Sequence, residues 1–252
     1  SPKGDLHLPV VNASSDPAAI GPVDVVMFAV KLYDMEQTAA AIAPLIGPDT
    51  IVIPFQNGVD AVGVLTRTVG AGHVGGGVAY ISAVISEPGV IRHTALDRII
   101  FGEIDGTRSV RLERFLAACE PAGFAATLST DIDVDLWSKF VRLSTWSSLT
   151  SVTRTPIGVV RDHPELMGLF QAAVFEGMAV ARARGVRLPE TLFDEIMAMV
   201  AGMPYGAKAS MLEDLERGKP LELPWLGGAM VRIARELDVP TPTHRFLATV
   251  LQ

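Results

Sequence analysis

Two apolar runs early in the chain each end abruptly on polar residues. The first, residues 23–30, reads VDVVMFAV and stops at Lys31; the second, residues 50–55, reads TIVIPF and stops at Gln56, Asn57 and Gly58. Runs of Val, Ile and Phe without apolar–polar alternation read as parallel strands covered by helices on both faces. In open sheets of that kind, ligands gather where the strands finish. Lys31 and Asn57 are therefore the first candidates for function.

The rest of the first half alternates strand and helix patterns. A helical stretch opens at Asp34 and runs through Ile46 to a stop at Gly47, and a second runs from Val59 to Val69. His73 to Ile85, Gly89 to Thr94 and Arg98 to Gly102 then read as strands broken by SEPG and ALD, a meander that closes the sheet. A helix from Ser109 to Glu120 and a short strand, FAATLS, complete this half. From Asp131 onward every segment carries helical spacing. Asp131, Asp133 and Asp135 put negative charge on the first turn of a long helix, and a second long one opens at His163-Pro164 and stops at Gly185. The expected fold is α/β: a partial Rossmann-like dinucleotide-binding domain over 1–129, then an all-α domain over 130–252.

Composition narrows the function. A net charge of -7 with scattered arginines offers no face to a phosphate backbone, so nucleic acid is not an expected partner. No apolar run approaches the roughly 20 residues that span a bilayer, so a membrane is not expected either. Hydrophobic residues nevertheless make up 49% of the chain, an excess that belongs in a large core or an oligomer interface. The single cysteine, Cys119, lies on an amphipathic stretch and reads as a buried structural thiol. With no signal-like apolar segment at the start, a cytoplasmic location is the expectation. His73 and His93 have no second ligand at metal spacing and read as structural; no metal site is expected.

A dinucleotide fold should carry G-x-G-x-x-G between a first strand and a first helix. The one literal match is Gly70, Gly72 and Gly75. It follows a helical stretch and leads into GGVAYISAVI, which is strand-like. Without a helix N-terminus behind it, such a loop has no free N–H groups for a pyrophosphate. The phosphate loop is thus expected upstream of Ser1, in a first βαβ unit that this sequence does not contain, or else the protein does without it.

Several motifs together resemble the ketopantoate reductases, NADPH-dependent enzymes that reduce a 2-keto acid to a 2-hydroxy acid. They are GPVDVVMFAVK with Lys31, PFQNGV with Asn57 and Gly58, GGVAYISAVISEPGVIRHT, DLWSKF with Lys139, and SMLEDLERGKPLELPWLGG with Ser210 and Glu222. The resemblance implies Lys139 and Glu222 as the catalytic pair, with Lys139 as general acid. It implies Lys31, Asn57, Ser82 and Glu222 at the cofactor, and Lys139, Ser210 and Ser147 at the substrate. The chemistry agrees, since hydride delivery to a ketone builds negative charge on oxygen and calls for a cation with a transferable proton. A homodimer acting on a small 2-keto acid is the implied assembly.

The sequence departs from that family where asparagines usually stand: Leu143, Ser147, Ile157 and Ala207 occupy those positions. Loss of such hydrogen-bonding partners changes substrate discrimination. Either a more apolar 2-keto acid or a weakly active member would account for it. A non-catalytic relative serving as a small-molecule-binding or dimeric scaffold is the alternative from another class. A related β-hydroxyacid dehydrogenase would also carry a lysine in a helical half, but Glu222 and the SML motif fit the ketopantoate reductases better.

Overall fold

The computed structural model describes residues 1–252, which divide into two compact units. The α/β unit is Ser1–Gln56 with Ala61–Ile132; the helical unit is Asp133–Gln252 together with the segment Asn57–Asp60. In the α/β unit the elements run β1 (Val23–Phe28), α1 (Met35–Ala41), β2 (Ile46–Pro54), α2 (Ala61–Val69), β3 (Gly75–Glu87), β4 (Val90–Glu103), α3 (Val110–Cys119) and β5 (Ala125–Leu128). β1 and β2 are parallel; β3 pairs antiparallel with β4, which pairs parallel with β5. A parallel bridge from Val52 to Val74 links the two sheets. The expected fold class holds.

Several local expectations need correction. β2 is the covered strand, with Ile51, Val52 and Ile53 fully buried, and Ile51 and Ile53 pack with Leu112 and Cys119 of α3. β1 is not covered in the same way: Met27 is 53% exposed. The stretch after Asp34 is shorter than its spacing suggests. Asp34 makes no side-chain cap, α1 ends at Ala41, and Gly47 lies inside β2 rather than past a helix end. ALD does not break a strand; β4 continues through it by a register shift, with Leu96 at φ 59°.

The glycines at 75–77 have a packing explanation. A Cβ on Gly77 would lie 2.6 Å from the Pro54 carbonyl oxygen and 2.7 Å from Ile53 Cγ2, so only glycine lets β3 run against the end of β2. The loop containing Gly70 and Gly72 follows α2 and enters β3, and the Gly72 carbonyl accepts from Arg111 Nη1 at 2.7 Å. Cys119 is buried, and burial raises its thiol pKa. His73 bonds the Thr50 carbonyl through Nδ1 at 3.0 Å.

In the helical unit, α4 (Ile132–Thr153), α5 (Ile157–Asp162), α6 (Pro164–Ala183), α7 (Leu192–Gly202), α8 (Ser210–Glu216), α9 (Gly227–Glu236) and α10 (Pro242–Val250) surround one core that includes Phe140, Phe170, Met211 and Met230. α5 carries no strong sequence signal and is an addition to the expected set. α6 is long and apolar enough by composition to cross a membrane, but Phe170, Val174 and Met178 bury its inner face in this core.

α4 is unusual as a core helix because its second half is rich in hydroxyls. Thr145 Oγ1 donates to the Val141 carbonyl at 3.0 Å, Thr150 to Trp146 at 2.7 Å and Thr153 to Leu149 at 2.9 Å. Such back-bonding to the preceding turn satisfies these three hydroxyls, while Ser147, Ser148 and Ser151 Oγ are buried without a hydrogen-bond partner. Packing is correspondingly close: a Cβ on Gly227 of α9 would fall 2.5 Å from Ser148 Oγ.

Glu176 on α6 anchors α10. Its carboxylate accepts from the backbone N–H of Thr243 at 2.8 Å and of His244 at 2.9 Å, and meets the fully buried His244 ring at Nδ1, 3.1 Å away. Burial works against the Glu176 charge, but the hydrogen bonds from His244 and Thr243 prevail and hold its pKa at about 2. The folded-state value lies below the ordinary 4.5, so the stabilisation is present above pH 4.5 and is lost as pH falls toward about 2. Glu176→Gln is expected to lower stability by about 1–3 kcal/mol at neutral pH. Urea unfolding at pH 7 and pH 3 checks this; an undiminished difference at pH 3 would refute the electrostatic account.

Candidate active site

The site is assembled around an amine that burial disfavours. Lys139 sits on α4, two residues after Trp137 and next to Phe140, both in the core. Its Nζ donates to Asn57 Oδ1 at 2.9 Å, and Asn57 Nδ2 in turn donates to Glu222 Oε2 at 3.4 Å. Asn57 therefore stands between the ammonium and the carboxylate, offering each the end of its amide that it can use. Burial lowers the Lys139 pKa most, the Arg142 charge adds to this, and Glu222 opposes both, bringing it from 10.5 down to about 8.

Each member is held by local structure. Glu222 is 8% exposed and stands just before a short 3-10 turn, Leu223–Trp225. Its side chain does not cap that turn; its backbone carbonyl accepts from Trp225 and Leu226 instead, leaving the carboxylate for Asn57. Gly58 has φ +85°, and a Cβ there would lie 2.6 Å from the Trp225 carbonyl oxygen. A left-handed residue without a side chain is thus required for Asn57 to reach this position. Two residues on, Asp60 takes both carboxylate oxygens to Arg232 Nη2 at 2.7 and 2.8 Å. Val59 packs on the helical core between them.

The cluster brings together Lys139, Asn57 and Glu222 from the expected residues. Lys31 is exposed, three residues past the end of β1. Ser82 is exposed within β3, where its hydroxyl meets Thr94 Oγ1 at 2.9 Å. Ser210 is exposed at the first position of α8. Ser147, two turns after Lys139, is fully buried, and its Oγ has no hydrogen-bond partner.

Sequence reasoning missed Arg142 and the Asp60–Arg232 pair. Arg142 is three residues from Lys139, a spacing that places both on one helix face. That signal is legible once the lysine is singled out. Nothing in the sequence pairs Asp60 with Arg232, because 172 positions separate them.

The family pattern described as "Ketopantoate reductase PanE/ApbA" matches residues 1–106, and that described as "Ketopantoate reductase PanE/ApbA C terminal" matches residues 131–252. The curated 2-dehydropantoate 2-reductase of Mesorhizobium japonicum is 29% identical over 260 residues, covering 95% of this chain and 79% of the relative. Among solved structures, the 2-dehydropantoate 2-reductase of Geobacter metallireducens has a TM-score of 0.91 at 27% identity, over 99% of this chain and 83% of that one. The dimeric ketopantoate reductase of Staphylococcus aureus has a similar fold, with a TM-score of 0.80 at 24% identity over 92% and 77% of the two chains.

If Glu222 supports the ammonium, its removal lowers the Lys139 pKa further. Glu222→Gln is expected to move the midpoint for Lys139 modification by a trace amine reagent, mapped by peptide mass, below about 8. An unchanged or raised midpoint would contradict the arrangement described.

Proposed function

The chain belongs to the ketopantoate reductase family, and from that membership we propose that it reduces a 2-keto acid of the 2-dehydropantoate type to the 2-hydroxy acid with NADPH. The single observation that carries this reading is the Lys139–Asn57–Glu222 cluster.

NADPH, when bound, supplies the hydride to the carbonyl carbon. Lys139 hydrogen-bonds the carbonyl oxygen and passes its proton there as charge develops, so the two additions together give the hydroxyl. A lysine with an ordinary pKa would surrender that proton reluctantly. One brought down to about 8 remains mostly charged at neutral pH and is a stronger acid. Glu222 keeps the charged form from being lost altogether, and Asn57 fixes the direction of the amine. Lys31 suits the cofactor: it is an exposed cation at the carboxyl end of one of two parallel strands, and those strand ends are where a dinucleotide collects. Ser82 and Ser210, both exposed, are assigned to cofactor and substrate respectively by the family resemblance.

The replacement of the family's asparagines by Leu143, Ile157 and Ala207 supports a substrate with a more apolar side chain. The Ile157 N–H donates to the Ala207 carbonyl at 3.0 Å, so two of the positions that lost asparagines stand side by side. A branched 2-keto acid without a terminal hydroxyl suits them. A homodimer and a cytoplasmic location belong to the same reading; the dimeric Staphylococcus aureus relative supports the first and the free Cys119 thiol the second. The scaffold alternative draws no support from relatives named as reductases.

Turnover is followed by NADPH absorbance with a panel of branched 2-keto acids. Lys139→Ala is expected to reduce kcat by about 10²–10⁴-fold. For the intact protein, kcat/KM for reduction is expected to be level at neutral pH and to fall about tenfold per unit above a pH of about 8, as the free enzyme loses the Lys139 proton. Undiminished activity in Lys139→Ala would remove the assignment.

A further inference from the structure

Between Phe140 and Ser151, every residue of α4 is buried except Arg142 and Trp146. These two follow Lys139 at intervals of three and seven, so all three form one stripe along the helix. The only partly open face of the helix that carries Lys139 is therefore lined by a second cation and an indole. Arg142 Nη1 donates to Met199 Sδ on α7 at 3.3 Å. A thioether is a neutral, weak acceptor, so this contact orients the guanidinium without adding opposing charge. One turn further, Trp146 Nε1 has no hydrogen-bond acceptor.

A second cation so near Lys139 needs a reason. It pushes the lysine toward its neutral form, which does not help a group that must arrive protonated. A 2-keto acid supplies the reason. Its carboxylate is bonded directly to the carbonyl carbon, so a ketone oxygen on Lys139 brings two further anionic oxygens within one helical turn of that amine. A guanidinium meets such a carboxylate with two parallel N–H donors, which a lysine cannot do.

We propose that Arg142 binds the carboxylate of the 2-keto acid while Lys139 holds its carbonyl oxygen, with the substrate side chain directed along the Trp146 face of α4. This rests on the reductase reading given above, and it names a specificity-determining residue for that site. In it, α4 selects for an acid over a neutral ketone and sets which face of the carbonyl is presented.

The test uses the full 252-residue chain as wild type, Arg142→Gln and Arg142→Lys, with thermal melts to confirm that each variant folds. Branched 2-keto acids are compared with the corresponding 2-keto amides, which lack the charge. Arg142→Gln is expected to raise KM for the acid by about ten- to hundredfold, the value of a charge-assisted hydrogen bond. It should leave the amide nearly unchanged, so the acid-to-amide preference collapses; Arg142→Lys recovers part of it. The alkaline limb of kcat/KM should also move upward in Arg142→Gln, because a like charge beside Lys139 is gone. An unchanged acid-to-amide ratio in an active Arg142→Gln protein overturns the proposal while leaving the reductase reading intact. If the wild type turns over no keto acid, that reading fails, and the carboxylate site is judged by tryptophan fluorescence titration with a branched 2-hydroxy acid. Binding weakened in Arg142→Gln and partly restored in Arg142→Lys supports it; equal binding in all three proteins, or none in the wild type, overturns it.

Discussion

The hydrogen bond from Lys139 to Asn57 is the contact on which the helical unit's site is built. An ammonium shielded from water loses hydration worth several kcal/mol, and without partners it would give up its proton. Asn57 and Glu222 limit that loss without abolishing it. Asn57 contributes a neutral acceptor close to the amine, and the carboxylate stands beyond it as the next link. Direct contact with a carboxylate would favour the ammonium more strongly and leave a poorer acid. With the neutral amide between the two charges and burial acting on the amine, the lysine pKa is about 8, so it is mostly charged at neutral pH and more acidic than an ordinary lysine.

This arrangement explains why four residues after β2 belong with helices far away in sequence. Asn57 can reach Lys139 only if the chain turns through a left-handed Gly58 against Trp225, and the turn keeps its place only if Asp60 is tied to Arg232. Each of those contacts would look incidental alone. Together they fix the one amide that the amine depends on. Along α4 the hydroxyls of Ser144, Thr145, Thr150 and Thr153 are satisfied by their own helix, whereas those of Ser147, Ser148 and Ser151 are buried without a hydrogen-bond partner.

Much of this was legible in the residues, and what was not has identifiable causes. β2 and the long helices α4 and α6 follow directly from apolar runs and 3.6-residue spacing, because burial dictates both. The Asn57–Gly58 dipeptide reads as a turn, and it is one; that the turn also delivers a site residue required knowing Trp225 and Arg232, which no local pattern reveals. Gly47 looked like a helix stop, yet pairing with β1 draws it into β2, an example of tertiary contact overriding local punctuation. Gly75 ends the G-x-G-x-x-G match and also serves in β3, where a Cβ would lie 3.0 Å from the Gly102 carbonyl oxygen; both settings call for a backbone without Cβ at close approach. Ser147 is implied by the resemblance alone, and no local pattern reveals that α4 buries it.

Charge balance connects the site's parts. Lys139 and Arg142 carry two positive charges and Glu222 one negative, so this group is left one positive charge over near neutral pH. Before substrate arrives, burial first and the Arg142 charge second depress the lysine, with Glu222 opposing both. In the proposed complex a monoanionic 2-keto acid offsets that positive charge: its carboxylate beside the guanidinium favours the ammonium again, at the moment when the carbonyl oxygen comes to need a proton. In this reading the enzyme keeps an amine that is only moderately acidic when empty and fully protonated when loaded. A neutral ketone would bring no such compensation, and discrimination against it would then arise from the protonation state of Lys139 as well as from the loss of a direct contact.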